Sequence, residues 1–146
     1  MMTRDRLQKL TMGLSIGTTI FGVAPMFFPR KFAEMFGLPT TDNPASDIAF
    51  SSVGARDAIN GIGIFSATIH GGRVAPWLLA RAVADGTDAL AIGLAWRAGA
   101  RSSRLLLLGA LALGATVIDI VLYRAHRGIA AMESGPSLDS TGATNT

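Results

Sequence analysis

The sequence predicts an all-α protein: a four-helix transmembrane bundle with a short interfacial helix after the first span and a disordered C-terminal tail. Four apolar segments, at about 10–28, 49–69, 76–96 and 104–123, each have the roughly 20 residues that a helix needs to cross a bilayer. The chain is 49% hydrophobic and only 16% charged, with a mean hydropathy of +0.41. Most of the 17 glycines fall inside the apolar segments, where small residues let transmembrane helices approach closely.

The length of 146 residues suits one domain, which we assign to 1–132, followed by a polar tail at 133–146 that we expect to be disordered. The chain has no cysteine, which excludes disulfides, thiolate metal sites and cysteine nucleophiles. Its net charge of +3 comes from arginines near the ends of the apolar segments. That distribution suits lipid headgroups better than a nucleic acid, which needs a continuous basic face. We therefore expect the lipid bilayer as a partner and no nucleic acid.

The first apolar segment is interpreted as a retained helix, because it is long and no Ala-x-Ala-like cleavage site follows it. It carries Gly13 and Gly17 in the stretch GLSIG, a small-xxx-small spacing that predicts close helix contact and a homodimer through this face. The following PRKFAEMFGLP, 29–39, places Phe32, Met35 and Phe36 on one face and predicts the short interfacial helix. An amphipathic surface loop is the alternative.

The connections predict how the spans are arranged. TTDNPASD, 40–47, is the long connection, whereas 70–76 and 97–104 are short, so the second, third and fourth spans should be antiparallel neighbours. Because the first helix usually dominates orientation, we expect both termini to be cytoplasmic, in a bacterial inner membrane. Basic residues outside the spans are nearly balanced between the two sides: Arg4, Arg6, Lys9, Arg73, Arg124 and Arg127 against Arg30, Lys31, Arg97, Arg101 and Arg104.

The third span carries a stripe of polar side chains. At about 100° per residue, Arg81, Asp85 and Asp88 fall on one narrow helix face, between Trp77 and Ile92. Such a helix fits a membrane only if this face points into the protein or into a wet cavity. The opposite face is apolar or small: Leu79, Val83, Gly86, Leu90 and Leu94.

The second and fourth spans carry polar residues that can meet this stripe. In the fourth span, Asp119 lies between Thr116 and Tyr123 on one side of the helix. The first span contributes no charge. The second span has a stripe of polar and small residues, which are Ser52, Arg56, Asn60 and Gly63. Asp57 is turned about 100° away from this stripe.

Short turns fix which residues of antiparallel helices lie at the same depth, because both helices rise by 1.5 Å per residue. This register predicts an ion pair between Arg56 and Asp88 and another between Arg81 and Asp119. Two arginines then face four carboxylates. A neutral aspartic acid, a bound cation or proton, or water must relieve the excess charge. Asp85, which has no assigned arginine, is the first candidate for the perturbed group, and Asp57 is the second.

The sequence therefore nominates two sets of site residues and predicts no cofactor and no metal. His70 and His126 lie at span ends without metal-ligand spacing. The catalytic candidates are Asp85, Asp57, Arg56, Arg81 and Asp88. The ligand-binding candidates are Asn60, Asp119, Thr116, Tyr123 and Trp77.

Three motifs in order, PRKFAEMFGLP, GARDAINGIGIF and WLLARAVADGTDALAIG, resemble a bacterial and fungal family of small four-span integral membrane proteins with a domain of unknown function. The resemblance covers roughly 8–123. It implies four membrane helices and motif residues at Arg56, Asp57, Arg81, Asp85 and Asp88, with Asp57 standing where the family often has glutamate. It implies no reaction and no ligand.

Three functions fit these observations. The favoured one is a metal-independent acid–base enzyme, of isomerase or hydrolase type, that acts on a lipophilic small molecule. The second is binding or transport of a proton, a cation or a small ligand at the surplus carboxylates. The third is a structural membrane subunit, in which the charges only hold helices together.

Overall fold

The computed structural model describes residues 3–38 and 44–133, and this part of the chain forms five helices without a strand. The predicted all-α class is confirmed. The predicted tail beyond 133 and the connection at 39–43 lie outside the described residues. The helices are α1 (Arg4–Phe27), α2 (Pro29–Met35), α3 (Pro44–Ile69), α4 (Ala75–Arg97) and α5 (Ser103–Glu133).

Three of the helices extend well beyond the apolar segments that predicted them. Helix α1 begins at Arg4 rather than near 10, where the Thr3 side chain accepts a hydrogen bond from the Arg6 amide at 3.4 Å. Helix α3 begins at Pro44 rather than near 49, and α5 continues to Glu133 rather than ending near 123. Hydrophobicity marks only the apolar part of a helix, and polar turns with good helix formers extend it.

Helix α2 confirms the predicted short helix. Pro29 is its first residue, where a backbone N–H would have no acceptor within the helix. Its apolar face is narrower than predicted. Phe32 and Phe36 are buried, with ring centroids 4.9 Å apart, and Phe32 meets Phe21 of α1 edge-on at 5.3 Å. Met35 lies on the outer face instead and is 58% exposed, because the face that packs against the bundle carries Phe32 and Phe36.

The helices pack as two pairs, α1 with α3 and α4 with α5, while far fewer residues of α3 and α4 lie close to each other. The prediction that α3 and α4 are close neighbours was therefore only partly right. Glycines decide the α1–α3 contact, because a Cβ at Gly22 would collide with Ala58 N, and one at Gly54 with the Gly22 carbonyl oxygen. Gly13 and Gly17 were predicted to make such a contact, but nothing lies within 4 Å of a Cβ built at either.

The molecule is apolar outside and has many polar residues inside. Large hydrophobic side chains point outward on all four long helices, among them Ile20, Ile59, Val83 and Leu113. The interior holds a small apolar cluster around Ile64 together with buried threonines, aspartates and an arginine. This distribution is the one expected of a helical protein surrounded by lipid.

Two of the four predicted spans, α1 and α5, are long and apolar enough to cross a membrane, with mean hydropathies of 1.5 and 2.5. Within the described ranges, α3 and α4 do not meet that criterion. The physical reason is the group of arginine and aspartate residues in the middle of both helices. The length and composition of α1 and α5 thus indicate a membrane protein. They do not show that α3 and α4 also cross the membrane.

Candidate functional site

Six charged side chains from three helices meet inside the bundle, and we call them the charged cluster. Helix α4 supplies three of them on one face, because spacings of three and four residues place side chains above one another. The outward face of α4 is apolar, as predicted. The members are Arg56 and Asp57 of α3, Arg81, Asp85 and Asp88 of α4, and Asp119 of α5.

Arg56 forms the outer half of the cluster. Its Nη2 donates to Asp88 Oδ2 at 2.7 Å and its Nη1 to Asp88 Oδ1 at 3.3 Å, a two-pronged contact that fixes the guanidinium. This pair was predicted from register and is confirmed. The same guanidinium also holds Asp57 Oδ1, through Nε at 3.0 Å and Nη2 at 2.9 Å. The second contact was missed, because adjacent residues on a helix do not share a face.

Arg81 forms the inner half of the cluster. Its Nη1 donates to Asp119 Oδ1 at 2.9 Å, so the second predicted ion pair is confirmed as well. The Asp119 side chain is fully buried, and Arg81 is 8% exposed. Asp85 lies one turn away, with its Oδ2 at 3.5 Å from Arg81 Nη2. Arg81 therefore donates a hydrogen bond to Asp119 and forms only a longer ion pair with Asp85.

The cluster has more acid than base, as the sequence predicted. Four carboxyl groups meet two guanidinium groups, and within the described part of the chain the Oδ2 atoms of Asp85 and Asp119 are buried without a hydrogen-bond donor. A buried acceptor without a partner is costly, so a proton on either carboxyl group, or a cationic ligand, would stabilise them.

An apolar cavity of about 580 Å³ opens beside the cluster, between the α1–α3 pair and the α4–α5 pair. Its charged lining residues are Asp57, Arg81, Asp85 and Asp88, and the rest of its wall is almost entirely apolar. A volume of this size accommodates a small organic molecule. The apolar wall includes Leu14, Phe21, Phe32, Leu38, Phe50, Val53, Ala91, Ile92, Leu105, Leu108, Leu111, Ala112 and Ala115.

Small residues on α1 make room for this cavity. Gly13 and Gly17 line it, and the space around both positions is open. Within one chain, the GLSIG spacing thins a wall of the cavity and makes no helix contact. Sequence reasoning missed the apolar wall because small-xxx-small spacing does not distinguish a helix contact from a groove.

The structure separates the two sets of nominated residues. Of the catalytic candidates, all but Arg56 line the cavity, and Arg56 holds two of them from behind. The five ligand-binding candidates are not among the cavity's lining residues. Asp119 lies behind Arg81, Asn60 is buried in α3, Thr116 donates to the Ala112 carbonyl, Trp77 covers Gly63, and Tyr123 lines another cavity.

His126 has a role in packing that sequence reasoning did not assign. Its Nε2 lies 3.0 Å from Thr11 Oγ1 and ties α5 to α1. Neither histidine has carboxylates arranged around it, and no group of three His, Cys, Asp or Glu within 3–38 and 44–133 is placed to hold a metal ion.

A family model described as Domain of unknown function (DUF4267) matches residues 15–135, which include all six members of the charged cluster. The chain belongs to the DUF4267 family. The resemblance inferred from the motifs is therefore confirmed as one to a family of unknown function. No curated protein and no solved structure matches this DUF4267 chain. The cluster and the cavity beside it are thus the basis for a functional assignment.

Proposed function

We propose that this DUF4267 protein is an integral membrane protein that takes a lipophilic small molecule into the apolar cavity and acts on it by acid–base chemistry. One observation carries the proposal. The cavity is apolar except at the wall where it meets Asp57, Arg81, Asp85 and Asp88. A ligand held by the apolar wall would present its reactive group to these side chains.

The membrane part of the proposal is a four-span bundle with both termini in the cytoplasm of a bacterial cell. Helices α1 and α5 have the composition of spans. Helices α3 and α4 can accompany them because their charged residues pair inside the bundle while Ile59, Val83 and Leu90 face outward. A homodimer through the Gly13 and Gly17 face stays a prediction.

Asp85 is the group best placed to move a proton. It lines the cavity, it is buried, and one of its oxygens has no hydrogen-bond donor. As a carboxylate, it would accept a proton from a carbon next to a substrate carbonyl. The neighbouring Arg81 would stabilise the negative oxygen that forms. Return of the same proton to another carbon completes an isomerisation without gain or loss of atoms.

Hydrolytic opening of an epoxide would use the same groups. Asp85 would take one proton from a water molecule as the water oxygen bonds to the epoxide carbon. A protonated Asp57 would give its proton to the departing epoxide oxygen. The product is a diol, and transfer of a proton from Asp85 back to Asp57 restores both groups. Neither reaction requires a metal ion.

A second function, binding of a proton or a lipophilic cation, is favoured by the excess of two carboxylates over guanidinium groups in the cluster. The lack of a donor to Asp85 Oδ2 and Asp119 Oδ2 favours it further. In this case the cavity holds a ligand but releases it unchanged. The third candidate is a purely structural role, which does not explain why a cavity lies beside the charged cluster.

The test uses the purified full chain in lipid nanodiscs with a panel of lipophilic epoxides and unsaturated ketones. Asp85→Asn keeps the shape of the side chain but cannot act as a base, so we expect turnover to fall by roughly 10²–10⁴-fold. Asp5→Asn is the matched control, because the Asp5 side chain is 71% exposed and its ion pair with Lys9 lies on the surface. Turnover that survives Asp85→Asn, or that Asp5→Asn lowers equally, would contradict the acid–base proposal.

The same panel separates the alternatives. A binding protein would retain one of the compounds with an affinity that depends on Asp85, and would not convert it. A structural subunit would neither retain nor convert any compound. Its melting temperature would fall when Asp85 is replaced, since polar contacts between helices contribute about 1 kcal/mol each.

A further inference from the structure

A second cavity, of about 990 Å³, lies away from the charged cluster, and we call it the basic cavity. It forms at the end of the bundle where α1 and α4 begin and α3 and α5 end. The turn between α3 and α4 closes one side through a hydrogen bond from the Gly72 amide to the Ala67 carbonyl at 2.7 Å. Gly71 makes this turn possible with a φ of 67°, which favours glycine.

The charged residues of the basic cavity are all cationic. Arg4, Arg73 and Arg127 line it, and no aspartate or glutamate occurs among its described lining residues. They come from two helices and one turn, α1, α5 and the turn between α3 and α4, so the fold gathers charges that are far apart in the sequence. Arginines without a carboxylate partner raise the local concentration of anions around a cavity.

Two of these arginines lack a carboxylate partner. Arg127 Nη1 donates to the Tyr123 hydroxyl at 3.2 Å, and its guanidinium lies 5.9 Å from the centre of the Tyr123 ring, so its partner is neutral. Arg73 forms no hydrogen bond or ion pair with the described residues. Both keep guanidinium N–H groups for a ligand, in the forked arrangement that matches the oxygens of a phosphate.

The remainder of the wall is largely apolar. Leu7, Val74, Leu79 and Ile129 line the cavity, and Leu79 is also exposed on the outer face of α4. The basic cavity therefore joins arginines to an apolar surface that continues to the outside of the bundle. An anion attached to a hydrocarbon chain would satisfy both parts of the wall at once.

We propose that the basic cavity binds the phosphate group of an anionic phospholipid, with Arg73 and Arg127 as its ligands. The position agrees with this ligand, because the end of a membrane bundle lies at the depth of the headgroups. A soluble phosphate ester has the same recognised chemistry. The experiment distinguishes the two sources.

The test uses native mass spectrometry and thermal unfolding of the full chain in detergent, with phosphatidylglycerol, phosphatidylcholine or inorganic phosphate added. We expect phosphatidylglycerol to be retained and to raise the melting temperature, and phosphatidylcholine not to. Arg73→Gln and Arg127→Gln should each weaken phosphatidylglycerol binding about tenfold, since each removes charge-assisted hydrogen bonds. Arg101→Gln is the matched control, an exposed arginine at the opposite end of the bundle.

Each outcome has a defined meaning. If inorganic phosphate stabilises the protein as much as phosphatidylglycerol, and through the same two arginines, the phosphate site is supported and its ligand is soluble. If only phosphatidylglycerol acts, the lipid headgroup is supported. Equal retention of phosphatidylcholine, or an equal loss in Arg101→Gln, would overturn the proposal. Melting temperatures without lipid show that the variants fold.

Discussion

At the scale of single residues, the arrangement around Arg81 defines the site. Its guanidinium is divided between Asp119, at 2.9 Å, and Asp85, at 3.5 Å. Asp119 is fully buried and lies behind the cavity wall, so it orients Arg81 without meeting a ligand. Asp85 is left with the weaker contact and with access to the cavity. The division explains how two aspartates near one arginine acquire different roles.

Removal of Arg81 should destabilise the fold strongly, because it leaves the carboxylates of Asp85 and Asp119 buried without their cation. We expect Arg81→Gln to lower the free energy of unfolding by about 3–5 kcal/mol, measured by chemical unfolding in detergent. Lys9→Gln is the control. It breaks an exposed ion pair with Asp5 and should cost no more than about 1 kcal/mol.

A double variant shows whether charge is the cause of that loss. Adding Asp119→Asn to Arg81→Gln removes one of the stranded carboxylates and should restore part of the lost stability. If the double variant is as unstable as the sum of the two single variants, the loss comes from packing and the electrostatic explanation is wrong.

At the scale of helices, the sequence predicted the ion pairs better than it predicted which helices pack together. Short turns fixed the relative depth of α3, α4 and α5, so Arg56–Asp88 and Arg81–Asp119 followed from counting residues. The main partner of α3 is α1, which lies on the far side of a long connection. Residue counting gives no register across that connection, so the sequence did not predict that α1 packs against α3.

The α1–α3 contact should be sensitive to small additions at its glycines. A Cβ at Gly22 would collide with the backbone of α3, so we expect Gly22→Ala to destabilise the protein by about 1–3 kcal/mol. Gly17→Ala is a matched control on the same helix, where the added methyl group meets nothing within 4 Å. Thermal unfolding in detergent measures both. Equal effects at the two positions would show that α1 and α3 do not meet through Gly22.

At the scale of the whole molecule, the bundle has a polar interior and an apolar exterior. The stripe of Arg81, Asp85 and Asp88 predicted this arrangement, because a helix with these charges fits a membrane only if the charged face points inward and the apolar face points outward. The sequence could not predict the two cavities, since they depend on how the α1–α3 pair stands against the α4–α5 pair. One cavity meets the charged cluster, and the other gathers arginines at the end of the bundle.

The orientation of α4 follows from this arrangement and is open to a direct test, since the chain has no cysteine of its own. Leu90 is 63% exposed on the face of α4 opposite the charged cluster. If lipid surrounds the bundle, a cysteine at this position lies in hydrocarbon, where a charged maleimide cannot enter. A cysteine in place of Arg101 lies in the turn between α4 and α5 and is the matched control.

Labelling of these two single-cysteine variants in intact membranes tests most directly whether the charged cluster is enclosed in a bundle that lipid surrounds. We predict that Arg101→Cys reacts with the charged maleimide once the membrane side it faces is opened to the reagent. Leu90→Cys should react only after the protein has been unfolded in detergent. If Leu90→Cys were labelled as strongly as Arg101→Cys in membranes where Arg101→Cys reacts, α4 would lie in water and the account would be contradicted.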